Sequence, residues 1–389
     1  MKDIERRNKD GIALTRQVIL TITRHCNLNC RYCYEEGSEK SHRRTMTFET
    51  AKCVLEKEFE TSSKDGITEA LDISFMGGEP LENFDLIRSV SEWLWDKQWP
   101  LPYELSFPTN GTLLNDDMRD WLIRNKQRIS VGLSFDGLAG VNEINRTTLP
   151  IDCKFFVNNW PDRRVAVVLF RDSIQYLADN VRMMNSNKIP FTAVIGDGFE
   201  WTEGDAAKYE EQMTELVRDY LSDPNEAKAC GLFSLRIMDF FPNNRLKESD
   251  FCGAVDNIVN YDVDGQPYIC HIFAPLTLGQ KKAEWAREQY KDLKKVAWDP
   301  ECDACEIRNT CKPCFGFHVK LFGDVNKWSS KHTICRLQKA KARMCAYYHL
   351  KRMEMRIAAG DEISPEDMAI SQKAMKYLSM FADSENLTS

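Results

Sequence analysis

Three cysteines stand close together in the stretch Thr23-Arg24-His25-Cys26-Asn27-Leu28-Asn29-Cys30-Arg31-Tyr32-Cys33-Tyr34. Three residues separate Cys26 from Cys30 and two separate Cys30 from Cys33, so three thiolates fall on one short loop, directly after the apolar run Gln17 to Thr23. Such a loop suits a metal. A structural zinc wants a closed tetrahedron of four protein ligands, which needs His25 or His42 to join the cysteines. A 4Fe-4S cluster on three cysteines instead leaves one iron without a protein ligand, and that iron can take a substrate.

The chain holds fourteen cysteines in all. Cys252 and Cys270 flank Gly265; Cys302, Cys305, Cys311 and Cys314 fall within thirteen positions; Cys335 stands alone. These are metal-ligand spacings, and in a reducing cytosol disulfides are not expected. Two structural zincs could use as many thiolates. Cys53, Cys153 and Cys345 read as small core residues.

The elements that must position these groups alternate. Apolar runs at Gln17 to Thr23, Leu71 to Met76, Tyr103 to Phe107, Ser130 to Phe135, Arg164 to Phe170 and Pro190 to Ile195 are separated by helix-period stretches, such as Phe48, Ala51, Leu55 and Phe59, then Phe84, Ile87, Val90 and Leu94. Six strand–helix units predict an α/β fold with a parallel sheet and crossover helices, whose sites gather at the C-terminal strand ends. The cysteine loop ends the first strand.

The other strand ends carry candidates too. After the second comes Met76-Gly77-Gly78-Glu79-Pro80, either a strand-to-helix turn with Pro opening the helix or a site where glycines admit close approach and Glu79 accepts bonds from an ammonium group. The third ends in Thr109-Asn110-Gly111, a turn by its chemistry. The fourth ends in Ser134-Phe135-Asp136-Gly137, with Asn145-Arg146 beyond. Arg146 is either a solvated loop residue or a fork for a carboxylate. No phosphate-binding glycine motif or nucleophile elbow is present.

Together these motifs resemble the signature of the radical S-adenosylmethionine (SAM) superfamily: the cysteine spacing, Tyr32 before the third cysteine, and Gly-Gly-Glu-Pro and Thr-Asn-Gly at successive strand ends. The resemblance implies a partial (β/α)6 barrel and a SAM-binding 4Fe-4S cluster on Cys26, Cys30 and Cys33. It also implies SAM contacts from Tyr32, Gly77, Gly78, Glu79, Asn110, Ser134, Asp136 and Arg146. In that family SAM chelates the open iron, and reduction cleaves its sulfonium to a 5'-deoxyadenosyl radical; the protein orients and excludes. The downstream cysteines resemble the SPASM domain, a small cysteine-rich unit with a short β-hairpin, helices and two auxiliary 4Fe-4S clusters, making three clusters in total. Asp264-Gly265 fits that hairpin's turn. Carried over, the family pattern puts Cys252, Cys270 and Cys314 on the first auxiliary cluster, and Cys302, Cys305, Cys311 and Cys335 on the second. The first lacks an obvious fourth cysteine, leaving Cys230, Asp256 or an open iron. His271 stands where the related sulfatase-maturing enzymes carry an aspartate base, so a histidine base is expected.

The expected organisation is an N-terminal arm (1–16), the barrel (17–215), bridging helices with the SPASM unit (216–345) and a helical tail (346–389). The arm is too short for a separate leader-binding domain. A formal net charge of −7 with no dense Lys/Arg stripe disfavours nucleic-acid binding. No apolar run has membrane-spanning length and no signal peptide opens the chain, so a cytoplasmic protein is expected. The implied function is a maturase that crosslinks a ribosomally made precursor peptide through a carbon–carbon or thioether bond, with flavodoxin or ferredoxin as reductant. The alternatives are a formylglycine-generating sulfatase maturase and a zinc-stabilised scaffold without catalysis.

Overall fold

A computed structural model describes residues 15–35, 43–64, 67, 69–222, 231–243, 252–255, 257–290, 293, 300–311, 314–325 and 333–381. All six expected strands form: β1 (Thr15–Thr23), β2 (Ala70–Gly77), β3 (Tyr103–Thr109), β4 (Ile129–Leu133), β5 (Val165–Leu169) and β6 (Phe191–Ile195). The apolar runs are continuous because a parallel sheet is covered on both faces. Val18, Ile19, Leu20 and Ile22 are all buried, and Val18 pairs with Ile73 and Leu20 with Phe75 across β1 and β2.

The crossover helices are α1 (Phe48–Lys64), α2 (Phe84–Trp95), α3 (Asp116–Asn125), α4 (Ala139–Asn145), α5 (Cys153–Asn159) and α6 (Leu177–Ser186). Then α7 (Glu203–Ser222) buries Tyr209, Met213, Leu216, Val217 and Tyr220 against the barrel core.

Two features differ from the expected single six-stranded sheet. β1 to β4 belong to one parallel sheet, while β5 and β6 form a second. The two meet at a bridge between Ser134 and Ala166, with the Phe135 N–H donating to Ala166 O (3.0 Å). Ser134 and Phe135, expected inside the fourth strand, lie past its end. There the chain turns away at Gly137 (φ +96°), held by Asn180, which donates to Asp136 O (2.7 Å) and accepts from the Leu138 N–H (2.7 Å). The other departure is β7 (Ile258–Tyr261), which runs parallel along the outer edge of β1 and continues the barrel sheet. It forms a hairpin with β8 (Pro267–Tyr268) through the expected turn, with Gly265 at φ +78°.

The remaining helices are α8 (Pro275–Leu278), α9 (Gln280–Gln289), α10 (Pro300–Ala304), α11 (Phe315–Phe322), α12 (Ile334–Ala358) and α13 (Pro365–Ser379). α12 begins well before Cys345, carries Cys335 near its start, and buries Leu337, Ala340, Met344 and Tyr348 in the barrel core. Gly360 (φ +80°) turns the chain between α12 and α13, and Ser364 caps α13 by accepting from the Asp367 N–H (3.0 Å). Among the described residues no helix is long and apolar enough to cross a membrane.

Candidate functional site

The loop after β1 is held by backbone. The Gly78 N–H donates to Thr23 O (3.1 Å) and the Glu79 N–H to His25 O (2.9 Å). A Cβ on Gly77 would stand 2.1 Å from Thr23 O, and one on Gly78 would stand 2.2 Å from His25 O and 2.9 Å from Cys26 Cβ. Both glycines therefore serve close approach, to the cysteine loop itself. Glu79 joins three strand ends. Its carboxylate accepts from the Thr109 hydroxyl (2.6 Å), the Asn110 N–H (2.8 Å) and the Leu81 N–H (3.0 Å), the last as a helix cap ahead of Pro80. Burial pushes its pKa up, against these three bonds. Asn110 donates to Asn27 Oδ1 (3.0 Å), and Asn27 donates to Thr112 Oγ1 (2.8 Å), tying the β3 end to the cysteine loop.

On the other side of the loop Asp136 is fully buried. Its carboxylate accepts from the Tyr32 hydroxyl (2.7 Å), Asn145 Nδ2 (3.1 Å), Arg146 Nε (3.2 Å) and the Val168 N–H (3.1 Å). Arg146 is thus a buried, paired cation. It lies over the Tyr32 ring at 5.1 Å, and its Nη1 comes within 4.0 Å of Cys30 Sγ. Burial pulls its pKa down, but Asp136, Tyr32 and Cys30 outweigh that and hold the guanidinium charged. Burial, first of all, raises the Tyr32 hydroxyl. The Ser134 hydroxyl, at the end of β4, is part-buried and makes no hydrogen bond among the described residues.

The downstream cysteines separate into two sets. Burial, then the charge of Cys252, pushes Cys270 up to about 12; Cys314 is raised by burial, then by Cys270, with Cys252 also contributing. Cys311 is raised by burial and then by Cys335, Cys305 and Cys302. Within each of these sets the members feel one another's charge, but among the described residues no group of three or more His, Cys, Asp or Glu side chains stands close enough to hold a single metal ion. Cys230, Asp256 and His42 lie outside the described residues, and His25 is engaged with Glu82 (3.1 Å). Cys153 and Cys345 are buried as expected, whereas Cys53 is exposed, on the outer face of α1. Tyr34 stands between loop and hairpin. Its ring packs on His271 (6.0 Å) and Phe317 (5.8 Å), and its hydroxyl is raised by burial, then Glu35, Cys33, Cys270 and Cys314. His271 is neutral, lowered to about 4 by burial, and its Nδ1 is enclosed without a hydrogen-bond partner among the described residues.

Residues 14–122 match a family described as a 4Fe-4S single cluster domain. The radical SAM cyclopropyl synthase TigE of Paramaledivibacter caminithermalis is 32% identical over 127 residues, 30% of this chain and 26% of that protein. The whole fold resembles a structure of native anSMEcpe with bound AdoMet and a Cp18Cys peptide (TM-score 0.56, 17% identity, 89% of this chain and 99% of that one). In its N-terminal part the chain is thus similar in sequence to a radical SAM enzyme, and its fold as a whole is similar to that of an AdoMet-bound protein. A second solved relative, Streptococcus suis SuiB bound to precursor peptide SuiA, has TM-score 0.53 and 16% identity, covering 81% of this chain and 75% of that one. The curated sequence relatives are matched only in part. The chain spans 26% of the cyclopropyl synthase and 42% of an uncharacterized protein of Methanocaldococcus jannaschii that is 33% identical over 131 residues, 34% of this chain.

The chemistry of the downstream thiols is of the kind that suits iron–sulfur ligation. A thiol pushed up by burial ionises only where a cation compensates it, and Cys270, Cys311, Cys314 and Cys335 are all pushed up. Backbone N–H groups of Ile272 and Phe273 bond the Cys270 sulfur, and that of Phe317 the Cys314 sulfur, supporting thiolates there. Sequence reasoning passed over several supporting residues. Arg24 is only 2% exposed and forms a buried ion pair with Asp262 of the hairpin, including Nε to Oδ1 at 3.3 Å. Asn27, Asn180 and Asp262 carried no local signal, because their partners are far away in the chain.

Proposed function

We propose that this protein is a SPASM-type maturase that takes a hydrogen from a precursor peptide and closes a crosslink in it. The observation that carries the reading is the mutual charge felt among Cys252, Cys270 and Cys314 and among Cys302, Cys305, Cys311 and Cys335, which supports two cysteine groups beside the one at the β1 end. Solved structures of similar fold, one with bound AdoMet and a peptide and one with a precursor peptide, support it. When bound at Cys26, Cys30 and Cys33, a 4Fe-4S cluster with SAM would supply one-electron cleavage and a carbon radical able to take hydrogen from an unactivated position.

The chain's own residues then divide the work. Glu79, with lone-pair room beyond its three internal bonds, takes the SAM ammonium; Arg146, braced by Asp136, faces the carboxylate; Ser134 offers its hydroxyl to the ribose. Gly77, Gly78, Asn110 and Tyr32 shape the pocket by holding the loop. Closing a crosslink removes two hydrogens from the peptide. One goes to the deoxyadenosyl carbon. The other leaves as a proton, for which neutral His271 is the acceptor, and an electron, for which the two downstream thiolate sets would hold the acceptors. The thirteen described cysteines form no disulfide with one another, which is in keeping with a reducing, cytoplasmic setting and flavodoxin or ferredoxin as electron donor.

The test is direct. Anaerobically purified protein should be brown, with about twelve iron atoms per chain for three four-iron clusters, and when reduced with SAM should slowly release 5'-deoxyadenosine and methionine. Replacing Cys26, Cys30 and Cys33 by Ala should stop that release while auxiliary iron stays. Unchanged cleavage in the triple variant would sink the reading, as would a colourless zinc protein.

A further inference from the structure

The loop after β6 reaches both downstream cysteine sets. Gly196 continues the strand, its N–H donating to Leu169 O (3.0 Å), and its carbonyl accepts from Trp201 Nε1 (3.0 Å). Gly198 has φ +90°, and a Cβ there would stand 3.0 Å from the Phe317 ring; the loop thus lies against α11, one turn after Cys314. Three residues on, the Trp201 N–H donates to Thr333 Oγ1 (2.8 Å), and Arg336 Nη1 donates to Trp201 O (2.9 Å). Thr333 and Arg336 bracket Cys335. Asp197 lies at the head of this clamped loop, its carboxylate accepting from the Gly198 N–H at 2.7 Å.

We infer that Asp197 is a charge shared by the two auxiliary clusters, a positioning residue that holds the reduction potentials of both below those their ligands alone would set. The inference rests on the proposed reading that the two downstream cysteine sets hold clusters. A negative charge disfavours adding an electron to a nearby centre, and in a low-dielectric interior this reaches across several ångströms. The Asp197 carboxylate is felt at Cys314 in one set and at Cys335 in the other. Burial lifts its own pKa to about 6, with the Gly198 N–H drawing it back, so at pH 8 it is ionised. Because one group acts on both sets, it shifts both levels together: each cluster becomes harder to reduce, while the step between them stays nearly level.

The experiment is a redox titration at pH 8 of the anaerobically prepared holoenzyme, followed by electron paramagnetic resonance, comparing the parent with Asp197→Asn and Asp197→Glu. The Asn variant should move both auxiliary midpoint potentials upward and leave that of the SAM-binding cluster in place; the Glu variant, which keeps the charge, should stay close to the parent. Potentials unmoved in Asn, or a shift at one auxiliary cluster alone, would overturn the inference while three clusters in the parent left the underlying reading intact. A parent with iron for one cluster only would defeat both. If the Asn variant binds less auxiliary iron, Asp197→Ser carries the same test: an upward shift at both clusters upholds the shared charge. Iron loss in both neutral variants but not in Glu would make Asp197 a ligand and overturn the through-space role.

Discussion

A carboxylate offers about four lone-pair directions, and Glu79 uses three of them on Thr109, Asn110 and Leu81. Both readings of the Gly-Gly-Glu-Pro stretch therefore meet in one residue, which caps a helix and still has room for one more donor. Glu79→Gln keeps an acceptor for Thr109 and Leu81 but turns an amide toward the Asn110 N–H. A charge-assisted bond is worth about 1.5–3 kcal/mol, so the Gln variant is expected to bind SAM roughly ten- to a hundred-fold more weakly, measured by calorimetry on the reconstituted protein. An unaltered dissociation constant would leave Glu79 as a cap alone. At His271 the sign of the pH effect follows from burial. Its pKa falls from 6.5 to about 4, so above 6.5 both folded and unfolded chains hold it neutral. As pH drops toward 4 only the unfolded chain takes the proton, and stability is lost across that window. His271→Gln should flatten the decline in urea midpoint between pH 7 and 5.

The elements were legible where burial is two-sided and local. Each barrel strand is an apolar run because helices and core cover both its faces, and α7 announced its buried side by period alone. The cysteine loop was legible because its spacing is short. Pairings made across the chain were not: nothing near Ile258 marks it as the neighbour of Gln17, and nothing in Arg24 announces Asp262. Cys53 shows the opposite failure, since one cysteine in an amphipathic helix carries little hydrophobic weight and its face is set by its neighbours. The contact between Gly78 and the loop gives this scale its prediction. Gly78→Ala must push Cys26 and His25 away by more than a loop relaxes freely, since the added atom would lie 2.2 Å from a carbonyl oxygen. Iron per chain should fall by about one cluster's worth of four atoms, with the downstream sets still loaded. Full iron occupancy would mean that the loop yields.

At the scale of the whole molecule, the cysteine loop and the hairpin are locked by Arg24 and Asp262, whose side chains are 2% and 1% exposed. Removing one partner of such a pair strands a buried charge and costs about 3–5 kcal/mol. Arg24→Met alone is expected to lower the denaturant midpoint by that much, while Arg24→Met with Asp262→Leu should recover most of it, because a well-packed apolar pair often replaces a buried ion pair without loss. A double variant as weak as the single one would show that the charges hold the loop in a shape that packing does not.

The strand β7 has a consequence for how the chain is made. β1 emerges from the ribosome early, and its inner edge can pair with β2 soon afterwards, yet its outer edge is completed only by residues 258–261, after all six barrel strands have been synthesised. Through that interval the nascent barrel carries an open row of N–H and C=O groups beside its cysteine loop, the kind of edge that recruits a neighbouring chain. The C-terminal third thus acts on the barrel as a late-arriving cover, and the two parts reach their final form as one folding unit.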